Sequence, residues 1–544
     1  MKLNPMVFKD GITKGKQVKF GGLNRGLGAT DGDLADMRNL TSDHTPLLAT
    51  RAPRALLDIE DPSGGTETIT AIYSHDELCW VRGTGFYYGG ELMGTVTPGA
   101  KVWASMGDFI IILPDKAYYN VWSGKFGSLE SVWTGTSLTF TNGLLFEEPA
   151  EANTLQATGV DWNDYFIVGD AVKIEGCTVH PENNKTPVIR EIDGNKLYFY
   201  EYIFKLNGSE SDTPYTETGS LSISRLMPDL TYICENENRL WGCDDRTIYA
   251  SALGDVFNFN VYEGIDSDAW AVDVGSPGRF TACASYLGHP IFFKEDLIYK
   301  VFGTLPSNYE VIQSATLGVA EGCAASLAIA GETLYYLSRA GVVSYSGGIP
   351  RTVGSAFGVE KFSDAVGGSD GLKYYISMKR EGDGQYRMYV YDTLRGVWHA
   401  EDETQATGFT LWSGGMYFLD SAGGIWAQSG VSCEAPGQME GVFSWFAEFA
   451  DWTDADPNRK GLGKFQIRLE LEPDASVEVF VMFDTDNNWR KVHGAIAPAV
   501  KRSYYLPITP RRTDHYRVRL EGTGGCKIFS LTRERYSGSE LINE

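Results

Sequence analysis

Residues 237–255 read ENRLWGCDDRTIYASALGD and have the pattern of a β-hairpin. A strand-like run, ENRLWGC, is followed by the polar turn DDR and by a second run, TIYASAL, before the chain breaks at Gly254. Polar turn residues between two runs of this kind predict a pair of antiparallel strands. A single hairpin is barely stable in water, so the fold depends on whether the chain repeats it.

Six further segments repeat the pattern: a small or polar start, a short strand, a turn, and a second strand that ends on an aromatic residue. They are DELCWVRGTGFYYGG from Asp76, GDFIIILPDKAYYNVWSG from Gly107, GHPIFFKEDLIYKVFG from Gly288, GETLYYLSRAGVVSYSGG from Gly331, GQYRMYVYDTLRGVWHA from Gly384 and GGMYFLDSAGGIWAQSG from Gly414.

Four of the closing aromatic residues are spaced at intervals of 50, 46 and 53 residues, which is typical of propeller blades. They are Tyr249, Tyr299, Tyr345 and Trp398. Blades that pack around an axis cover each other's apolar faces and leave only short sheet edges. We therefore predict an all-β chain built on a β-propeller of six to eight blades, with a series of ordinary β-meanders as the alternative.

The remaining regions depart from this repeat. Residues 131–225 alternate around the turns GDAV, NNKT and DGN, which predicts a small β-barrel inserted into a blade loop. Residues 433–544 contain longer, strictly alternating strands such as KFQIRLELE, which predict a β-sandwich. Residues 1–60 form a loop-rich, extended region. The first blades then span 61–130 and the remaining blades 226–432.

The composition favours short strands and an acidic surface. Hydrophobic residues make up 43% of the 544 residues, aromatic residues 13%, and there are 62 glycines. The net charge of −24 disfavours tight binding to nucleic-acid phosphates and to anionic membranes, because like charges repel. The first residues, MKLNPMVFKDGITKGK, contain no apolar secretion signal, and no segment is apolar for long enough to span a bilayer. We expect synthesis in a cytoplasm.

The eight cysteines show no metal-ligand spacing, and most lie in apolar strand-like runs. We predict buried free thiols in a reducing compartment. The cysteines are Cys79, Cys177, Cys234, Cys243, Cys283, Cys323, Cys433 and Cys526.

The sequence contains only weak signals for catalytic or metal-binding residues. Asp484, Asp486 and Asn488 alternate in FDTDNNWRKV, as in calcium loops. However, Trp489 stands where the sharp turn requires glycine, and no glutamate follows at the twelfth position, so a strand turn is the better interpretation. His399 follows an aromatic residue and is predicted to be structural.

Two further candidates have structural interpretations. Asp244 and Asp245 are paired carboxylates of the kind that glycosidases use, but an acidic chain produces such pairs by chance, and we interpret them as turn residues. The aromatic residues of SWF at 444–446 have the chemistry to stack on sugar rings but are more typical of a core. We predict no catalytic residue, no cofactor, no metal and no enzymatic activity.

Three segments resemble phage tail propeller proteins. GGLNRGLGATDGDLADMRNL resembles the opening of those proteins, and ENRLWGCDDRTIYASALGDVFNF resembles their signature NRL…YxSALGDPxNF. Val256 stands where that signature more often has proline. YYLPITPRRTDHYRVRLEGTGGCKIFSLTRE resembles their C-terminal sandwich.

The resemblance implies a virion structural protein that forms the nozzle or tail-hub ring around the DNA exit channel of a short-tailed phage. It further implies a homo-oligomer, often a hexameric ring, with adaptor, portal or fibre proteins as neighbours. Genomic DNA would pass through without sequence-specific binding during ejection, and the protein would reside in the virion tail. The alternatives are a carbohydrate-binding or glycan-degrading tail propeller, a receptor-binding tail-tip protein, and a host scaffold propeller of the WD type.

Overall fold

The computed structural model describes residues 12–59, 67–142, 153–200, 203–206, 214–430, 437–454, 459–509 and 511–536. Within these ranges the chain forms 47 strands and short 3₁₀ turns, and no α-helix. The 3₁₀ turns are Trp162–Asp164, Pro181–Asn183, Pro306–Asn308, Ala324–Ser326 and Gly354–Phe357. The prediction of an all-β chain is confirmed. None of the described helical turns has the length and apolar character needed to cross a bilayer.

Two compact units make up the chain. One unit contains Met1–Trp80 and Val319–Glu544, and the other contains Val81–Gly318. The boundary near residue 80 falls inside a strand of the first repeated sheet.

The N-terminal segment, predicted to be loop-rich and extended, contributes short strands to sheets formed by later parts of the chain. These are β1 (Ile12–Gln17), β2 (Leu34–Arg38), β3 (Leu40–Thr41), β4 (Leu48–Thr50) and β5 (Ala55–Leu57). β3 pairs with β4, but β1, β2, β4 and β5 all have pairing partners hundreds of residues away. Short strands with such distant partners show no clear alternation, so the sequence pattern does not reveal them.

Sheets 1 and 2 each consist of four consecutive antiparallel strands. Sheet 1 contains β6 (Ile69–His75), β7 (Glu77–Arg82), β8 (Gly85–Tyr88) and β9 (Glu91–Thr95). Sheet 2 contains β10 (Val102–Met106), β11 (Phe109–Leu113), β12 (Ala117–Asn120) and β13 (Lys125–Ser128).

A six-stranded insert sheet follows, in the order β16-β19-β14-β15-β18-β17. Its strands are β14 (Ser131–Thr141), β15 (Thr154–Gln156), β16 (Lys173–Glu175), β17 (Ile189–Asp193), β18 (Lys196–Phe199) and β19 (Tyr215–Arg225). The insert has its own apolar core, in which the rings of Trp133 and Trp162 meet edge to face at 5.1 Å.

Sheets 3 to 6 return to four consecutive strands each. Sheet 3 contains β20 (Tyr232–Asn236), β21 (Arg239–Cys243), β22 (Thr247–Ala250) and β23 (Trp270–Asp273). Sheet 4 contains β24 (Ala282–Tyr286), β25 (His289–Lys294), β26 (Leu297–Phe302) and β27 (Glu310–Ala315). Sheet 5 contains β28 (Ala328–Ala330), β29 (Thr333–Ser338), β30 (Gly341–Tyr345) and β31 (Arg351–Thr352). Sheet 6 contains β32 (Phe362–Ser369), β33 (Lys373–Arg380), β34 (Tyr386–Asp392) and β35 (Val397–Ala400).

Sheet 7 differs because the N-terminal strand β5 is inserted between two later strands. Its order is β36-β37-β38-β5-β39, with β36 (Ala406–Trp412), β37 (Gly415–Asp420), β38 (Ile425–Ala427) and β39 (Gly437–Met439). β5 pairs with both neighbours through Leu56, which lies opposite Trp426 on one side and Gln438 on the other.

The seven hairpin copies correspond to the seven sheets. Six copies fall on the second and third strands of their sheet, whereas the copy from Gly384 falls on the third and fourth strands, β34 and β35. Tyr391 in β34 is therefore the counterpart of Tyr345 in β30, and the predicted 53-residue interval to Trp398 combines two different strand positions. The middle strands are recognisable because they are buried on both faces, as in the FIIIL run of β11.

The C-terminal region forms two further sheets. Their strands are β40 (Ser444–Phe449), β41 (Lys460–Leu471), β42 (Ser476–Phe483), β43 (Arg490–Ile496), β44 (Ser503–Pro507), β45 (Arg512–Thr513), β46 (Tyr516–Thr523) and β47 (Cys526–Tyr536). One sheet has the order β3-β4-β47-β41-β44, with β1 paired to β47 and β45 to β41. The other has the order β2-β40-β46-β42-β43.

The two C-terminal sheets contact each other through aromatic rings. Trp452 lies 6.2 Å from Phe465 of one sheet and 5.8 Å from Tyr516 of the other. On β41 the predicted alternation is observed: Phe465, Ile467 and Leu469 are buried, and the residues between them retain solvent access.

A buried ion cluster joins the N-terminal segment to sheets 6 and 7. Arg51 makes a bidentate pair with Glu440 at 2.7 and 2.8 Å. Arg54 donates to Asp402 at 2.9 Å and also pairs with Glu401. Burial raises the pKa of Asp402, but the charges of Arg54 and Arg51 and the hydrogen bonds from Thr404 together outweigh it, and the net shift is downward. The pKa of Glu440 is likewise lowered against burial by its hydrogen bonds and charge contact with Arg51.

We predict that Arg54→Met lowers the free energy of unfolding of this unit by about 3–5 kcal/mol, because Glu401 and Asp402 lose their nearer cation and keep only Arg51, at 4.0 and 3.5 Å. The two lowered carboxyl pKa values add an acid dependence: their stabilising contribution is present above the unfolded-state values near 4 and is lost as pH falls below them. Urea unfolding monitored by tryptophan fluorescence measures both effects.

Arg502→Met is the matched control, because Arg502 pairs with Glu470 at 3.0 Å while both side chains are about half exposed. We expect a loss of about 1 kcal/mol or less for it. Equal losses in the two variants would contradict a stabilising role for the buried cluster.

Candidate functional site

The segment that carries the resemblance, residues 251–260, leaves sheet 3 after β22 and is referred to as the SALGD segment. Arg239 on β21 is 2% exposed. It holds the loop that follows β22 through hydrogen bonds to backbone carbonyls. Its guanidinium donates to the carbonyl of Ser251 at 2.8 Å and to the carbonyls of Asp266 and Asp268 at 2.8 and 2.5 Å. Burial lowers the pKa of Arg239. Gly254 has a φ of 73° and donates to the carbonyl of Asn238, which suits glycine.

A clamp of four polar residues connects the SALGD segment to the insert sheet: Asp170, Arg225, Asp255 and Asn258. Asn258 accepts from the amide of Ala171 at 3.0 Å, and its side-chain amide donates to Asp255 and, at 3.4 Å, to Asp170. Arg225 in turn donates to Asp170 at 2.5 Å.

Three of the four clamp residues, Asp170, Arg225 and Asn258, are almost fully shielded from solvent. Asp170 is 0% exposed and Asn258 is 2% exposed. Burial raises the pKa of Asp170, while the charge of Arg225 and the amide of Ile167 act in the opposite direction. Buried polar groups of this kind are costly unless each has a partner, so the clamp specifies one arrangement of the segment and the insert.

Phe257 extends the same contact to sheet 2. Its ring meets Phe109 at 5.6 Å and Tyr118 at 5.1 Å, both nearly perpendicular. The guanidinium of Arg225 lies 4.6 Å from the centre of the Phe257 ring. A single segment therefore holds sheet 2, sheet 3 and the insert together within residues 81–318.

A cleft of about 420 Å³ opens beside the clamp. It is lined by sheet 2, by the insert and by Phe257. Its lining includes Asn163, Asp164 and Tyr165 of the insert and Lys125 of β13. The mixture of aromatic, amide and charged side chains suits a polar ligand with some apolar surface.

The paired carboxylates Asp244 and Asp245 lie in the turn between β21 and β22. Asp244 accepts from the amides of Arg246 and Thr247 at 2.8 and 2.7 Å and from the hydroxyl of Tyr249 at 3.0 Å. These are the bonds of an Asx turn, in which the side chain replaces a backbone acceptor. Asp245 is exposed.

The alternating acidic residues at 484–488 are separated by their partners. Asp486 pairs with Arg490 at 2.6 Å and with Arg511 at 3.1 Å, which neutralises it. Asp484 instead approaches Asp514 and His515, and their ligand atoms lie within 4.8 Å of one another.

Those three residues form a candidate cation site, but their side chains already make hydrogen bonds within the protein. Asp484 accepts from the amide of Asp514 at 3.0 Å, and His515 contacts Asp514 at 2.7 Å and the hydroxyl of Thr485 at 2.6 Å. The order hydroxyl, imidazole, carboxylate is the one used to activate a nucleophile, but Thr485 is exposed at a turn. A cation would have to displace these hydrogen bonds.

Two other candidates are core residues. Trp445 of the SWF segment is 2% exposed and is not available for stacking on a sugar. His399 on β35 is 5% exposed, lines a cavity of about 80 Å³, and its Nδ1 has no hydrogen-bond partner among the described residues. Burial, followed by the charge of Lys373, lowers its pKa to about 4. Asp392 and Asp43 act in the opposite direction, and Arg395 in the same one.

No family model and no curated protein matches the sequence. Among solved structures, dipeptidyl peptidase 4 from Porphyromonas gingivalis is similar at 11% identity with a TM-score of 0.25. The alignment covers 80% of this chain and 60% of that one, so the chain spans about 60% of the length of that structure. A likeness this weak carries no argument about architecture or activity.

Sequence reasoning found the SALGD segment but missed its partners. Asp170 lies 55 residues before Arg225 and 88 residues before Asn258, so no local spacing connects them. The sequence did contain one signal for this contact. Arg225 and Asp170 both lie in apolar strand-like runs, where a charged side chain requires a partner.

We predict that Asn258→Ala lowers the thermal midpoint of the unit containing residues 81–318, at a cost of about 3 kcal/mol or more. The substitution leaves the buried amide of Ala171 without its acceptor and removes the bond to Oδ1 of Asp170, at about 1–3 kcal/mol for each lost partner. Arg225 and the amide of Ile167 still donate to the other oxygen of Asp170. Asn260→Ala is the matched control, since Asn260 is exposed and makes one bond to the carbonyl of Leu226 at 2.9 Å. A comparable shift in the control would contradict the clamp.

We predict that His399 makes the protein less stable as pH falls from about 6.5 to 4. The folded-state pKa of about 4 lies below the ordinary histidine pKa of 6.5 in the unfolded chain, so the unfolded chain binds the proton more readily in this interval. The expected slope approaches about 1.4 kcal/mol per pH unit. Denaturant midpoints across this range measure it. His399→Gln should lose the slope, whereas His493→Gln, at an exposed position, should retain it.

Proposed function

We propose that this chain is a structural protein of a phage tail that forms the nozzle or hub ring around the DNA exit channel. In this proposal sheets 1 to 7 are the blades of one β-propeller, residues 131–225 are an inserted β-module, and the two C-terminal sheets form a β-sandwich. The protein acts by assembly rather than by catalysis.

The way sheet 7 is completed supports the propeller. β5, from near the chain start, pairs between β38 and β39, from much later in the chain. β36 of the same sheet contacts β6 of sheet 1, where Thr410 donates to Ser74 at 2.8 Å. Propellers close their ring by joining the first and last parts of the repeat in this way, which leaves only short sheet edges.

The clamp is the observation that best supports a structural role. The residues that resemble phage tail propeller proteins hold three elements together through Asn258, Phe257 and Arg239. Their chemistry is that of a rigid framework. Rigidity suits a ring that has to keep its shape while DNA passes.

The charge supports a channel that does not retain DNA. With a net charge of −24, the protein repels the phosphate backbone over about 8–10 Å at physiological salt. Genomic DNA would therefore pass without sequence-specific contacts.

A carbohydrate-binding tail protein is the second candidate, and the cleft beside the clamp favours it. Tyr165, Asn163 and Asp164 provide an aromatic ring and hydrogen-bonding groups in the lining of the 420 Å³ cleft. Sugars are recognised by this combination of ring stacking and polar contacts.

Electron cryo-microscopy of phage particles that carry this chain tests the proposal. We expect a closed ring of copies on the tail axis, with adaptor, portal or fibre proteins as neighbours. Particles assembled with Asn258→Ala should contain fewer copies, because the unit is destabilised, and particles with Asn260→Ala should match the wild type. Density for the chain in an off-axis fibre, or none in the particle, would overturn the proposal.

A glycan array with the purified full-length chain separates the two candidates. Binding that is lost in Tyr165→Ala, with the fold retained, would favour the carbohydrate-binding candidate. An absence of binding together with ring density would favour the structural one.

A further inference from the structure

Three cysteines meet between sheets 3 and 4. Cys234 lies on β20, Cys243 on β21 and Cys283 on β24, and all three belong to one apolar cluster. Cys283 forms side-chain hydrogen bonds with both of the others. Three thiols that are far apart in the sequence are thus in contact within one unit.

The strand register explains why the thiols converge. Cys234 lies opposite Trp241, and Cys243 lies opposite Tyr232, so all four side chains project from the same face of sheet 3. Cys283 lies opposite Phe292, which belongs to the same cluster. β20 and β24 pack against each other, with Cα atoms of the two strands within 8 Å. A disulfide requires the Cα atoms of its two cysteines to lie about 4.4–6.8 Å apart, so neighbouring strands are where one can form.

Two of the three cysteine residues lie closer to the protein surface than the third. Seven free cysteines lie in the described part of the chain, and five of them are buried. The two residues that are only partly buried are Cys234 and Cys283, and their thiol groups contact each other inside the apolar cluster. Cys433 lies outside the described residues.

The surroundings keep this pair protonated at neutral pH. The hydrogen bond with Cys283, followed by burial, raises the pKa of Cys234, and burial raises the pKa of Cys283. Because the thiolate is the species that reacts, the pair stays reduced until a strong oxidant reaches it.

We propose that Cys234 and Cys283 form a covalent modification site at which a hydroperoxide converts two thiols into a disulfide that links sheet 3 to sheet 4. The Cys283 sulfur attacks the peroxide and becomes a sulfenic acid as one water or alcohol leaves. The Cys234 sulfur then displaces hydroxide from it, which leaves as water. In total, two thiols and one hydrogen peroxide give one disulfide and two waters.

The cross-link would join neighbouring sheets only after the protein leaves a reducing compartment. It stiffens the unit by restricting its unfolded state. This inference depends on the contact between sheets 3 and 4 and not on the proposed tail function, so either one can fail alone.

Trypsin allows a direct test, because its cleavage sites separate the three cysteines. Cys234 lies in the peptide 226–239, Cys243 in 240–246 and Cys283 in 280–294. The full-length protein is treated with hydrogen peroxide, its free thiols are alkylated, and the digest is analysed by mass spectrometry without reduction. We expect a cross-linked pair of the first and third peptides, lighter by two hydrogen atoms, which dithiothreitol separates.

The rate provides a second measurement. Below the thiol pKa the thiolate fraction rises about tenfold per pH unit, so formation should accelerate about tenfold between pH 7 and 8. The oxidised protein should also unfold at a higher temperature than the reduced protein, and dithiothreitol should reverse the shift.

Variants separate this pair from the other thiols. Cys283→Ser should abolish the cross-link, whereas Cys243→Ser and the buried control Cys526→Ser should retain it. A digest in which 240–246 is the main partner of 280–294 would overturn the assignment, and so would thiols that remain fully alkylatable after oxidant and unfolding. If Cys283→Ser does not fold, the test uses Cys234→Ser, which should also abolish the cross-link, together with the peptide map of the wild-type protein.

Discussion

A short antiparallel sheet whose middle strands are apolar on both faces has to be covered on both faces. In β11, Ile110, Ile111 and Ile112 are all 0% exposed, so side chains that alternate between the two faces of the sheet are equally buried. Apolar clusters supply this cover between sheets 2 and 3 and between sheets 3 and 4. The burial of each such side chain contributes about 1.5–3 kcal/mol, and the requirement recurs with every sheet.

Apolar contact is not directional and does not specify which loop lies against which sheet. Buried guanidinium groups provide that specificity in both units. Arg239 holds the loop after β22 through carbonyl oxygens, Arg225 holds the insert through Asp170, and Arg54 holds the N-terminal segment through Glu401 and Asp402. A buried cation is costly without its partners, so alternative arrangements that break these contacts are disfavoured.

The hairpin pattern predicted the middle strands well and the flanking strands poorly. The middle strands are continuous apolar runs, whereas the outer strand β27 alternates weakly and is largely exposed. β5 was also missed, because three residues are too few to show a period and its partners come from sheet 7. For the site, the SALGD segment was visible in the sequence, but the bond between Asn258 and Asp170 joins residues 88 positions apart.

The sequence by itself determined that the chain is all-β, that a hairpin recurs seven times, and that the surface is acidic, because strand periodicity, turn residues and charge are local properties. Only the tertiary structure decided that the N-terminal segment completes sheet 7, that Arg239 and Asn258 support the SALGD segment, and that three distant cysteines touch. These are contacts between residues far apart in the chain, and they exist only when packing brings their strands to the same face.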